Sequence, residues 1–152
     1  MNALVLYHSQ EYGNTEAMAK AVAEGLEAEG ADVTLHNTNE ARYDIMQFPA
    51  VDCVAVGSPD YYSYIAGGLK MFLDDHYIAD VRKGVEDLKG KPLVLFYSHG
   101  GGGSVRGPLE TLFTKRIGEP VAETVESHGA PDENVLEECR ALGRKLAASA
   151  RE

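Results

Sequence analysis

Two short runs, Val51-Asp-Cys-Val-Ala-Val-Gly57 and Pro92-Leu-Val-Leu-Phe-Tyr-Ser98, are almost continuously apolar, and each is followed by a glycine-bearing loop and an amphipathic helical pattern. A strand solvated on one face alternates apolar and polar residues, whereas a strand covered on both faces does not. These runs therefore demand helices above and below a sheet. Ala3–His8, Val33–His36, Val51–Val56, Leu93–Tyr97 and Val121–Val125 read as five strands. Helical patterns lie between them. The first runs from about Thr15 to Glu29, with Met18, Ala21, Val22 and Leu26 on one face and Gly30 as the stop. The second runs from about Ala66 to Ile78. The third has Pro108 in its first turn and aligns Leu109, Leu112, Phe113 and Ile117. The fourth is capped by Asp132 and aligns Val135, Cys139, Leu142 and Leu146.

Regular β/α alternation over 152 residues, with no repeat or linker, predicts one domain. The fold class is α/β, an open, doubly wound parallel sheet with helices on both faces. Ligands of such sheets bind outside the carboxyl ends of the strands, where strand order reverses. The loops after the first, third and fourth strands are the places to search.

Charge and cysteine content narrow the chemistry. With 24 acidic and 14 basic side chains the net charge is −10, a field that repels nucleic acid and anionic membrane and steers basic partners inward. Cys53 and Cys139 are isolated and sit on apolar stretches, so packing is their expected role, and no metal ligand set is written in the chain. Met1-Asn2 leads directly into a strand-like run, which makes the cytoplasm the expected location.

The first loop is Ser9, Gln10, Glu11, Tyr12, Gly13, Asn14 and Thr15, and it runs straight into a helix. A helix N-terminus offers free N–H groups and about half a positive charge, to which Ser9, Asn14 and Thr15 add short neutral donors. That is a cradle for a phosphate, built without Lys or Arg. The nucleotide-hydrolysing GxxxxGK[ST] pattern and the dinucleotide GxGxxG are both missing. A receiver domain is also excluded, because its third strand should end in an acceptor aspartate and this one ends Val56-Gly57-Ser58.

After the third strand come Ser58, Pro59, Asp60, Tyr61, Tyr62 and Ser63, with Tyr64 beyond. Three tyrosines in four positions offer flat faces for a planar ring; the other reading is that they cover a core edge or a dimer contact. After the fourth strand come Ser98, His99, Gly100, Gly101, Gly102 and Gly103, where bare backbone can approach a ring edge. For His99 two readings stand, an imidazole that feels charge on a bound ligand and a solvated loop histidine. The remaining histidines show no ligand spacing.

The S-x-x-x-GNTE segment after a short apolar strand resembles the phosphate loop of flavodoxins, whose usual form is one residue shorter between serine and glycine. Gly57, Ser58, Pro59, Tyr62, Ala66, Gly67, Phe72, Leu73 and Asp74 are in register with a different branch of the flavodoxin-like proteins, the NAD(P)H:quinone oxidoreductases. That branch also carries a glycine-rich third loop. The resemblance implies a flavodoxin-like sheet of order 2-1-3-4-5 with FMN as cofactor. It further implies cofactor-binding roles for the residues of the three loops, and no catalytic residue. Electron carriage between redox partner proteins, such as a reductase or ferredoxin-like donor, is the first expectation. Turnover of NAD(P)H and quinones is the alternative, opposed by the short segment, Ser127–Asp132, expected between the fifth strand and the last helix. A flavin-free interaction module is a third possibility.

Overall fold

The computed structural model describes residues 1–152. Five strands form one parallel sheet: β1 (Asn2–Tyr7), β2 (Asp32–Asn37), β3 (Cys53–Pro59), β4 (Leu93–His99) and β5 (Val125–His128). Their order is β2-β1-β3-β4-β5, so strand order reverses beside β1. The crossovers contain α1 (Asn14–Ala28), α2 (Gly67–Tyr77) and α3 (Arg106–Phe113), and α4 (Glu133–Ala150) closes the chain. No helix is long and apolar enough to cross a membrane.

The two-sided burial follows from the pleat. Ala3, Val5 and Tyr7 of β1 face α1 and α4, together with Cys53, Ala55 and Phe96, while Leu4, Leu6, Val54, Val56 and Leu95 face the α2/α3 side with Phe48, Phe72 and Phe113. Cys53 and Cys139 are both fully buried in the first of these layers, as the packing reading expects. α1 and α4 touch backbone to backbone. A β-carbon on Gly25 would lie 2.0 Å from the Arg140 carbonyl oxygen, and one on Gly143 would lie 2.1 Å from that of Val22. Gly30 ends α1 with φ 85, and Asp132 caps α4 by accepting from the Val135 amide at 2.9 Å.

Two boundaries differ from expectation. The fifth strand is not Val121–Val125: Pro120 and Val121 only graze the start of β4, through a single bridge and a Val121 N–H to Leu93 O bond, and pairing resumes at Val125 opposite Phe96. β5 is an edge strand whose residues alternate buried and exposed, so its sequence, Val-Glu-Ser-His, looks polar. Its shift places Glu126 and His128 at the carboxyl end of the sheet, and only Gly129–Asp132 precede α4. The third helix ends at Phe113, because Thr114 is extended and Lys115 takes a left-handed φ of 72; Ile117 is buried beyond the helix.

Candidate functional site

The carboxyl ends of β1, β3, β4 and β5 surround a cleft of about 310 Å³. All seven residues of the first loop line it, joined by Pro59, Asp60 and Tyr61 from the second, Ser98, His99 and Gly100 from the third, and Gly129 after β5. Ser58, Tyr62, Ser63, Gly101, Gly102 and Gly103 lie outside that lining.

The first loop is held from beneath. Asn37, at the end of β2, accepts from the Ser9 amide and donates to the Ser9 carbonyl, each at 3.0 Å. His8 is buried, bonds Thr38 Oγ1 at 2.9 Å and Gln10 Oε1 at 2.7 Å, and meets the Tyr61 ring edge-on with centroids 6.0 Å apart. Sequence reasoning gave His8 no role and passed over Asn37. The only signal for Asn37 was a polar residue placed directly after a strand-like run. Gly13 turns the chain into α1 with φ 73, a conformation costly for other L-residues. The opening amides of a helix have no intrahelical acceptor, so those of α1 remain available to an anion. Glu11 and Tyr12 are exposed.

The second loop is pinned by Asp60. Its amide donates to Ser98 O at 2.9 Å, while its carboxylate oxygens accept from the Ser63 amide at 2.8 Å and the Val105 amide at 3.2 Å. One side chain thus ties the second loop to the third. Ser58 is fully buried beneath the cleft, donating to Pro59 O at 2.7 Å and accepting from the Ala66 amide at 3.2 Å. Tyr61 and Tyr64 exchange two 3.1 Å backbone hydrogen bonds around a two-residue turn, with Tyr62 at φ 55 and Ser63 at φ 62. Such a turn normally uses Asn and Gly, so non-glycine residues there carry strain. It leaves Tyr62 wholly in solvent and Tyr61 partly sheltered against the cleft. Burial, and secondarily the Glu11 carboxylate, raise the Tyr61 hydroxyl above its ordinary pKa.

In the third loop, Gly101 and Gly102 are exposed and Gly103 packs on the Tyr97 ring. His99 is no solvated loop residue: its side chain is 8% exposed and stacks on His128 with centroids 4.9 Å apart and planes 8° from parallel. Its Nε2 lies 3.7 Å from Glu126 Oε2, and its Nδ1 is buried without a partner. His128, also given no role from sequence, donates from Nε2 to Gly100 O at 3.1 Å. The Tyr97 hydroxyl donates to Glu126, and burial followed by that carboxylate pushes its pKa up to about 12.

The lining contains seven loop residues at a helix N-terminus, no Lys or Arg, one tyrosine wall and one imidazole, that of His99, whose buried Nδ1 has no partner. Neutral donors suit a phosphate dianion, since hydrogen bonds to a charged acceptor contribute roughly 1.5–3 kcal/mol each. The ring wall and the glycine backbone suit a planar heteroaromatic group. FMN carries both features, and these residues fit it.

Comparison with known proteins agrees. Residues 5–143 match the family model described as flavodoxin. A flavodoxin of Aquifex aeolicus is 32% identical over 167 residues, covering 95% of this chain and 84% of that protein. A coenzyme F420H(2) oxidase of Methanothermobacter marburgensis is 34% identical over 155 residues; the match covers 97% of this chain but spans only 35% of the oxidase. Proteins of Brucella named NAD(P)H dehydrogenase (quinone) match a shorter stretch, at 36% identity over 89 residues and 47% of the chain. Among solved structures, a flavodoxin from the domain Archaea superposes with a TM-score of 0.83 at 24% identity, over 100% of both chains. This chain belongs to the flavodoxin family, and its cofactor is FMN.

Proposed function

We propose that the protein carries electrons between redox partner proteins. The observation that supports this most directly is the shape of the cleft, a loop at a helix N-terminus without Lys or Arg beside a tyrosine wall, lined by residues of only three loops and one glycine. FMN supplies one- and two-electron redox chemistry when bound. The chain's own residues anchor and shape the site. The amides at the start of α1, with Ser9, Asn14 and Thr15, would hold the phosphate. Tyr61 would supply an aromatic wall for the ring, and the Asp60 bridge ties the second loop to the third. A net charge of −10 favours partners with a basic face, such as a reductase or a ferredoxin-like donor. The oxidase relative, far longer than this chain, is consistent with a flavodoxin-type unit passing electrons to a separate oxidising centre.

A second reading, an NAD(P)H:quinone oxidoreductase, draws on one specific feature: Tyr61 and His99 line the same cleft. Against it, Gly129–Asp132 alone join β5 to α4, too few residues to wall off a substrate pocket. An absorption spectrum of the purified protein, then addition of NAD(P)H without oxygen, separates the readings. A carrier is yellow, is reduced slowly by NAD(P)H, and accepts electrons from a protein donor at a rate that falls with salt. Turnover of NAD(P)H and benzoquinone well above the free-FMN background overturns the carrier reading. A colourless protein that takes up no FMN overturns both.

A further inference from the structure

A second groove lies at the opposite end of the sheet from the cofactor cleft. The crossover helices run antiparallel to the strands, so the last turns of α2 and α3 reach the amino ends of β3 and β4. Between them opens a groove of about 390 Å³, within the size range of small-molecule sites. Leu73, Tyr77, Val81 and Leu112 make its apolar lining. Tyr77 and Val81 stand exposed where α2 passes into a π-turn over Ile78–Arg82, closed by the Lys83 amide on Ile78 O at 3.0 Å. Such wide turns are rare and recur at functional sites.

The charge around this groove runs against that of the chain. Lys70, Lys89, Lys115 and Arg116 line it together with two carboxylates, Asp74 and Asp80, in a protein of net charge −10. A basic face does not serve solubility here, because it lowers the net charge. Both carboxylates are engaged: Lys70 pairs with Asp74 at 2.5 Å, and Lys89 with Asp80 at 3.2 Å. Lys115 and Arg116 are left without a carboxylate partner.

The chain itself positions those two cations. α3 ends at Phe113, and Arg116 folds back so that its Nη1 donates to the Thr111 and Leu112 carbonyls at 3.2 and 3.5 Å. A helix end leaves such carbonyls without an amide. These bonds hold the guanidinium and leave the edge bearing Nε and Nη2 open, the fork that matches a carboxylate. Lys115 sits at φ 72, a left-handed conformation that glycine or asparagine adopts at lower cost. The backbone beyond it is fixed by buried Ile117 and by Gly118, where a β-carbon would lie 1.8 Å from the Lys91 carbonyl oxygen. A strained lysine beside an unpaired arginine puts two positive charges where no carboxylate of the chain answers them.

We propose that this groove is a second ligand site, taking an organic carboxylate whose apolar body lies on Leu73, Tyr77, Val81 and Leu112 and whose charged end meets Lys115 and Arg116. The anion answers the two free cations, and the body removes exposed Tyr77 and Val81 surface from water. The site is separate from the FMN cleft and does not depend on it.

Amide NMR and calorimetric titration of the FMN-loaded protein with 2-naphthoate and with octanoate test this, with 2-naphthamide and acetate as controls. At least one of the two carboxylates should shift the amides of Leu73, Tyr77, Val81 and Lys115 and leave those of Gly13 and Asn14 unmoved. 2-Naphthamide, without the charge, and acetate, without the apolar body, should bind about ten-fold more weakly or worse. Added salt should weaken the carboxylate and spare the amide. Arg116→Gln should lower carboxylate affinity roughly ten- to a hundredfold, because hydrogen bonds to a charged group are lost. Lys115→Gly relieves the positive φ, so it should keep urea stability near wild type while still weakening the carboxylate, which separates a lost ligand contact from a lost fold. No shift from either carboxylate, shifts confined to the FMN cleft, equal binding of either control, or full affinity in both variants overturns the proposal. A protein that takes up no FMN overturns the cofactor reading, and the same titration still decides the groove.

Discussion

Thr15 and Ser98, 83 positions apart in the chain, share a 2.8 Å hydrogen bond between their hydroxyl oxygens, and both residues are buried. The first loop and the glycine-rich loop are thus latched together under the cleft before any ligand contact is considered. Removing one hydroxyl strands the other. Thr15→Val and Ser98→Ala should each lower the unfolding free energy by about 1–3 kcal/mol in urea titrations of FMN-free protein. The double variant should lose clearly less than the sum. Additive losses would show that the two hydroxyls do not depend on each other.

Gly13 should be replaceable in proportion to tolerance of positive φ, because a β-carbon there meets nothing within 4 Å and only the backbone objects. Gly13→Val forces a β-branched residue to φ 73, whereas Asn visits that region more readily. Gly13→Val should weaken FMN by one to two decades, equivalent to roughly 1.5–3 kcal/mol, and Gly13→Asn by less. Riboflavin, which lacks the phosphate, is the control. Equal losses for FMN and riboflavin in binding titrations would move the phosphate elsewhere.

The three tyrosines should no longer be interchangeable. Tyr61 lines the cleft, and Tyr62 points wholly into solvent from the tip of its turn. Tyr61→Ala should therefore shift flavin fluorescence and midpoint potential, and Tyr62→Ala should leave both near wild type. The reverse pattern in titrated, FMN-saturated protein would place the ring wall at the turn apex.

Alkaline pH should destabilise the fold through its two thiols. Burial raises Cys53 from 9.0 to about 11 and Cys139 from 9.0 to about 12. Above pH 9 the unfolded chain releases these protons while the native state retains them. The unfolded state then binds fewer protons, so stability falls as pH rises. The contribution is complete below pH 9 and is lost progressively up to the folded values of about 11 and 12. Each thiol adds a slope of up to about 1.4 kcal/mol per pH unit inside its window. Urea unfolding of Cys139→Val between pH 8 and 11 should show a shallower decline than wild type, and identical declines would contradict the assignment.

What could be read from the chain alone was whatever local chemistry encodes. β3 and β4 announce themselves as doubly covered strands, and the turn of the first loop into α1 is legible in Gly13, Asn14 and Thr15, which act within a few residues of one another and line the cleft. β5 was misplaced because Val121–Val125 is richer in apolar residues than the true strand, whose Glu126 and His128 face outward at a sheet edge. α3 was drawn too long because Ile117 continues the helical spacing past a left-handed Lys115. The His99–His128 stack and the Asn37 clamp on Ser9 were invisible for a different reason. Each joins residues about 28 positions apart through strand register, with His99 opposite His128 and Tyr7 opposite Asn37, and no spacing within one segment encodes that.

The glycine contacts between α1 and α4 give the chain a vulnerability far from its ligand. Gly25 and Gly143 sit where two helix backbones run against each other, so even alanine at either site must wedge the helices apart. α1 is also the helix whose first turn faces the cleft, about eleven residues, or three turns, from Gly25. A wedge at its distal half tilts the whole rod, and a small angle at Gly25 becomes a displacement at Asn14 and Thr15. A survey of inactivating substitutions would accordingly flag two residues that touch no cofactor, on the side of the sheet opposite α2 and α3, as if they belonged to the binding site.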